Sequence, residues 1–279
     1  FMQITVLVDN NTIIDRYLLG EPGVSFFIRA DGKNILFDTG YSDIFITNAR
    51  KLGISLYDVD YTAISHGHND HTWGLEPMIR MYSEAMIEKI GFRKPVLIAH
   101  PQAFESKYND NEVIGSVITE KALGDFFDMN LKREPFWITE RLVFLGEIER
   151  TNSFENKKPI GKRRVQGIDE PDFLRDDTAL AYKSESGLVI ITGCSHSGIC
   201  NIIEYAKKVC NDDRIADVIG GLHLLNPEEE ALELTKKYFK QAGVKNLHAC
   251  HCTDLKSKLA LSEVAELGEV GVGLVLEYK

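Results

Sequence analysis

The chain has 279 residues, 44% hydrophobic and 27% charged, with a formal net charge of −10. That composition supports a full apolar core and excludes a disordered, collagen-like or repeat protein, and the acidic balance argues against a nucleic-acid surface, which needs a basic footprint. No apolar run approaches the roughly 20 residues of a membrane helix, and five sparse cysteines fit a reducing compartment, so a soluble, cytoplasmic protein with no membrane or nucleic-acid partner is expected, its oligomeric state unknown.

QITVLVD and VSFFIRA carry the β-branched and aromatic residues of strands, Asp31-Gly32 marks a hairpin turn, and NILFDTG is the returning strand. SDIFITNARKLG, residues 42–53, reads as a helix with Ser42 as N-cap and Gly53 as its stop. DYTAISH, residues 60–66, is a short apolar strand, and the residues after it sit where ligand sites collect in layered α/β folds. PVLIAH is another buried strand, and EPFWITE and RLVFLGEIER are a predicted hairpin. A loop-rich insertion is expected around 105–177; its charged part, Thr151 to Asp177, contains the basic run NKKPIGKRR and has the length of a lid or binding loop. Three strand-then-helix units follow: GLVIITG into GICNIIEYAKKVC, ADVIGGL into NPEEEALELTKKYFKQAG, and KNLHAC into DLKSKLALSEVAELG. With a last strand in EVGVGLVLEY, this alternation predicts an α/β (α+β) class with helix-covered sheets.

One stretch carries chemistry. SHGHNDHTWG places three of the eight histidines, His66, His68 and His71, around Asp70. A lone histidine is usually a surface or core residue, but HxHxDH is too specific a pattern for that reading. His66 and His68, one residue apart in extended chain, can aim two neutral imidazoles at one ion. Asp70 and His71 lie past the turn and suit a second ion, and two ions about 3.5–4 Å apart can make hydroxide available at neutral pH. Zinc fits such donors; manganese and iron are accepted by them too. His196 and His251 each follow an apolar strand, so both reach the same sheet edge.

HxHxDH after a short strand, preceded by ILFDTG and followed by βα units, resembles the metallo-β-lactamase superfamily. The resemblance implies a single domain over 1–279, a four-layer αββα sandwich with two divalent metal ions at one edge. By it, His251 matches the superfamily's last histidine, a ligand of the second metal. Cys194 stands in TGC where many relatives carry a bridging aspartate, and is either a thiolate ligand or an inert buried thiol. EPDFLRDDTAL lacks the histidine usual in that region, so His196, two residues past Cys194, is expected to supply the missing imidazole. Asp38 resembles the buried aspartate that orients metal-bound histidines, with plain turn capping as the alternative.

His223 in IGGLHLL is either a substrate-facing acid, catalytic together with Asp70, or a structural histidine. Lys157, Lys158, Arg163 and Arg164 are either a solvated run or a seat for a substrate phosphate. Cys250 and Cys252 lack the spacing of a separate metal site, and His100 and His248 read as structural.

Four motifs, HGHNDHTWGL, GCSHSGICNI, GGLHL and HCT, are similar in order to the branch grouped with the dihydropterin-methyl-ribofuranosylaminobenzene phosphate synthase family. The expected function is a dinuclear metal-dependent hydrolase acting on an ester, phosphodiester or diphosphate-containing small molecule through a metal-bound hydroxide. The alternative is a synthase (a transferase) joining a pterin to an aminobenzene ribose phosphate with loss of diphosphate. A second alternative is an iron-containing redox or oxygen-sensing protein, against whose flavodiiron form His68 stands where glutamate is usual.

Overall fold

The computed structural model describes residues 1–279. Two seven-stranded sheets dominate. In the first, Val275–Tyr278, Met2–Val8, Ser25–Ala30 and Lys33–Phe37 run antiparallel, and Tyr61–Ala63, Val96–Ala99 and Asp128–Leu131 continue it in parallel. The second repeats that plan: Phe136–Trp137, Leu142–Phe144, Ala179–Ser184 and Gly187–Thr192 are antiparallel, and Ile215–Gly221, Asn246–Cys250 and Glu266–Leu267 are parallel.

Side-chain alternation decides the layering. Val189 and Ile191 face Phe26, Ile28 and Phe37 in a core between the sheets, whereas Leu188 and Ile190 face helices on the outer side. Phe27 and Leu36 point outward from the first sheet against the helices Ile44–Lys51 and Leu75–Ile87. Strands covered on both faces read as continuous apolar runs, as GLVIIT does. The outer helices of the second sheet are Ile199–Cys210, Glu229–Ala242 and Leu255–Leu261; the first buries Ile199, Ile202, Ile203, Ala206 and Cys210, one stripe at helical spacing. The order of layers is therefore helix, sheet, sheet, helix.

Three expectations change. The N-cap falls on Asp43, without a side-chain bond, one residue past Ser42, whose hydroxyl accepts the Ile44 amide at 3.3 Å and donates to Glu21 at 2.6 Å. The final strand is only Val275–Tyr278, and it joins the first sheet beside Met2–Val8. The insertion is also less irregular than its composition suggests: Ser106–Asn109, Glu112–Val113, Lys162–Val165 and Ile168–Pro171 build a four-stranded sheet. The pairing of Lys162–Val165 with the edge strand Ile168–Pro171 sets Arg163 opposite Glu170 and Arg164 opposite Asp169, so cross-strand charge pairs replace the hydrophobic alternation that marks a strand in sequence.

Candidate metal centre

Most residues of the centre lie just past the end of a strand; His68, Asp70 and His71 follow in and beside the short helix Asn69–Thr72. Asp38 follows Lys33–Phe37, His66 follows Tyr61–Ala63, Cys194 and His196 follow Gly187–Thr192, His223 follows Ile215–Gly221, and His251 follows Asn246–Cys250. Asp38, Ser195, His223 and His251 are left-handed there, with φ of 58°, 60°, 50° and 50°. Such backbone is unfavourable for non-glycine residues and gathers where surrounding bonds impose it at working sites.

His66, His68 and His196 form one donor set. Their ligand atoms lie within 4.8 Å of one another, and Nε2 of His66, Nε2 of His68 and both nitrogens of His196 are buried with no hydrogen-bond partner. An unpartnered buried polar atom costs about 1–3 kcal/mol, so one nitrogen from each of the three rings, all within 4.8 Å of one another, calls for a group that takes their lone pairs. Burial, reinforced by the neighbouring imidazoles, pushes the His66 and His196 pKa values well below the ordinary range; burial also takes His68 down to about 4. All three are neutral at pH 7, the form that binds a cation.

Asp70, His71 and His251 form the second set, again within 4.8 Å. Asp70 and His71 sit in the short helix Asn69–Thr72, and His68 is its extended N-cap, so the turn separates the two pairs of side chains. Asp70 reaches His251 Nε2 at 3.2 Å and His71 Nε2 at 3.7 Å. Burial opposes ionisation of Asp70, but His71 and His251 outweigh it and hold the carboxyl far below the usual carboxylate range. Burial likewise opposes charging of His71, yet the Asp70 and Asp38 carboxylates raise it to about 9. Cys194 stands between the sets, its Sγ 3.2 Å from His71 Nε2.

Asp38 organises both sets. It accepts the Ser65 amide at 2.7 Å and hydroxyl at 2.6 Å, and pairs with His71 Nδ1 at 2.7 Å. Ser65 Oγ in turn lies 3.0 Å from His66 Nδ1. With its hydroxyl hydrogen committed to Asp38, Ser65 accepts from His66 Nδ1–H, which leaves Nε2 as the open lone pair.

Several contributors had no role in the sequence reading. Asp176 accepts the Gly67 amide at 2.8 Å and is held by fully buried Lys107 at 3.0 Å. A Cβ on Gly67 would lie 2.0 Å from the Ala103 carbonyl, so the ligand loop passes where only glycine fits. Asp177 accepts the Ser197 amide at 2.9 Å, beside His196, and burial raises its carboxyl to about 6. Cys252 lies with Cys194 and His251 in a third donor group. The signals were present as the Asp-Asp pair in RDDT and a second thiol directly after His251, but neither names its partners.

A cavity of about 330 Å³ opens beside His196 and His223, walled by Phe154–Ile160 on one side and Pro227–Thr235 on the other. Lys157 and Lys158 line it; Arg163 and Arg164 do not. Arg163 is paired with Glu105 at 2.8 Å and Glu170 at 2.9 Å, and Arg164 with Asp169 at 2.7 Å, so both are engaged by carboxylates outside this cavity. The His223 ring centroid lies 4.3 Å from that of His196. Desolvation opposes charging of His223, and Cys252 beside it outweighs that and raises its pKa. His100 and His248 are satisfied elsewhere by Glu147 and Asp217, at 3.1 and 2.9 Å.

The family model described as the metallo-beta-lactamase superfamily matches residues 18–82. The 7,8-dihydropterin-6-methyl-4-(beta-D-ribofuranosyl)-aminobenzene-5'-phosphate synthase of Methanocaldococcus jannaschii is 31% identical over 85% of this chain and 82% of its own length. An uncharacterized protein of the same organism is 32% identical over 96% of this chain and 98% of its own. Among solved structures, Tm1679, described as a metal-dependent hydrolase of the beta-lactamase superfamily, is 30% identical with a TM-score of 0.82, each chain covered in full. No helix is long and apolar enough to cross a membrane.

Proposed function

The chain belongs to the metallo-β-lactamase superfamily, and from that premise we propose that it is a dinuclear metal-dependent hydrolase of phosphodiester-, diphosphate- or ester-bearing small molecules. The observation that carries the reading is the convergence of three buried imidazoles whose ligand nitrogens have no hydrogen-bond partner, with a second donor set beside them. His66, His68 and His196 would hold one ion; Asp70, His71, His251 and Cys194 would hold the other, and zinc is the metal proposed. A pair of divalent ions there would supply Lewis-acid charge for a substrate oxygen and lower the pKa of water toward neutrality. Asp70, ionised beside the second ion position, would accept a hydrogen bond from the attacking water at its carboxylate and orient it. His223, facing the cavity with a raised pKa, delivers a proton to the departing oxygen from its ring. Lys157 and Lys158 place positive charge in the same cavity, where a substrate phosphate is seated.

A second reading is favoured by the synthase relative from M. jannaschii. In it the ions held by the same donors would bind diphosphate as the leaving group and an amine or arene would attack in place of water. Metal content of the purified protein, followed by assay on phosphodiester and diphosphate substrates, tests both. Two ions per chain and hydrolysis that disappears in His196→Ala are expected. Diphosphate release only on addition of a carbon or nitrogen nucleophile would favour the synthase, and fewer than two ions per chain would overturn both.

A further inference from the structure

Five free cysteines are buried in this chain, and they divide into two groups. Cys200 and Cys210 pack in the core outside the second sheet and Cys250 in the core between the sheets. Cys194 and Cys252 belong to no apolar core; their sulfurs lie with the His251 ligand nitrogen, all within 4.8 Å of one another. We propose that Cys252 is a metal-ligating residue, so that the second ion position carries two thiolates and takes zinc in preference to manganese. The inference rests on the two-metal reading above and adds a ligand to it.

The local backbone explains how adjacent residues serve one ion. In extended chain, successive side chains point to opposite faces, so a cysteine next to a ligand histidine ordinarily faces away. Here His251 adopts φ +50°, a kink that brings its imidazole and the Cys252 sulfur to the same side. The kink is held from outside: the His251 amide donates to Asp9 Oδ1 at 2.9 Å, and its Nδ1 meets Asn10 Oδ1 at 2.9 Å. Space for the thiol is reserved as well. A Cβ on Gly221 would lie 2.5 Å from Cys252 Sγ and 2.5 Å from the Gly193 carbonyl, so only glycine there leaves the sulfur its position. The His223 amide donates to the same sulfur at 3.3 Å, fixing its direction.

The chemistry follows from donor type. Each thiol gives its proton to solvent and its sulfur lone pair to the ion. Thiolate is a soft donor that zinc accepts and that manganese, matched to carboxylate and water, does not favour. Carboxylate in the place of Cys194 and serine in the place of Cys252 would remove that preference.

Zinc-edge X-ray absorption on the unmutated, zinc-loaded protein counts sulfur neighbours without depending on any variant. Two sulfurs per pair of ions are expected; one or none would overturn the proposal. In the cobalt-loaded protein the thiolate charge-transfer band should weaken in Cys252→Ser, weaken in Cys194→Ser and vanish when both are replaced. Zinc-over-manganese preference should fall at least about tenfold in Cys252→Ser, and an undiminished band with unchanged preference would again overturn it. Fewer than two ions in the unmutated protein would instead overturn the two-metal reading, whereas two ions with a single sulfur would refute only the role of Cys252.

Discussion

His71 shows how much one side chain's behaviour depends on its neighbours. Its Nδ1 is committed to Asp38 and its Nε2 faces Asp70 and Cys194. Asp38→Asn exchanges a charged acceptor for a neutral one, and a loss of about 10–100-fold in metal affinity is expected by titration with a competing chelator; unchanged affinity would show that Asp38 merely caps its turn. In the metal-free protein the His71 pKa lies above the ordinary 6.5, at about 9. Its imidazolium therefore stabilises the fold fully below pH 6.5, and that stability is lost as the pH rises through about 9. Urea unfolding of the metal-free protein across that window should show the decline, and metal loading, which holds the imidazole neutral, should abolish it. At this scale HxHxDH was legible because its donors are adjacent in sequence. Asp176 and Lys107 were not, since they act on the motif through hydrogen bonds spanning 109 and 69 residues.

The small four-stranded sheet is an element whose purpose only its contacts reveal. Lys107, on its strand Ser106–Asn109, is fully buried between Asp172 at 2.7 Å and Asp176 at 3.0 Å, and Asp176 holds the loop that carries His66 and His68. Lys107→Met leaves two buried carboxylates without their cation, and a loss of about 3–5 kcal/mol is expected in urea unfolding; a loss below 1 kcal/mol would mean that the site rehydrates. The segment walling the cavity is tied down similarly: Glu155 accepts the Cys200 and Asn201 amides at the start of the helix Ile199–Cys210, both at 2.9 Å. The stretch from Thr151 onward read as a loop because its partners, a helix end and a distant strand, lend it no periodicity of its own. The βα units were legible for the opposite reason, since strands buried on both faces and one-sided helices each write a local pattern.

For the whole molecule, two sheets share one core and each has a further core outside it. Because each sheet lends one face to the shared core and the other to an outer one, a single unfolding transition is expected, coincident by circular dichroism and fluorescence; two separated transitions would divide the chain. Metal removal should shift that transition: at free ion a thousandfold above its dissociation constant, one bound ion adds about 4 kcal/mol, so a chelator should lower Tm substantially and added zinc restore it. The sequence by itself determined the layered α/β class, the strand ends and the first four donors, because those features are carried by local hydrophobic period and by residues a few positions apart. Only the tertiary structure decided that His196, His251, Cys194 and Cys252 lie beside the first four donors, that Lys157 and Lys158 line the cavity, and that Arg163 and Arg164 are bound to carboxylates. Those facts depend on which strand ends meet, and that is fixed by the packing of the two sheets against each other rather than by any stretch of chain.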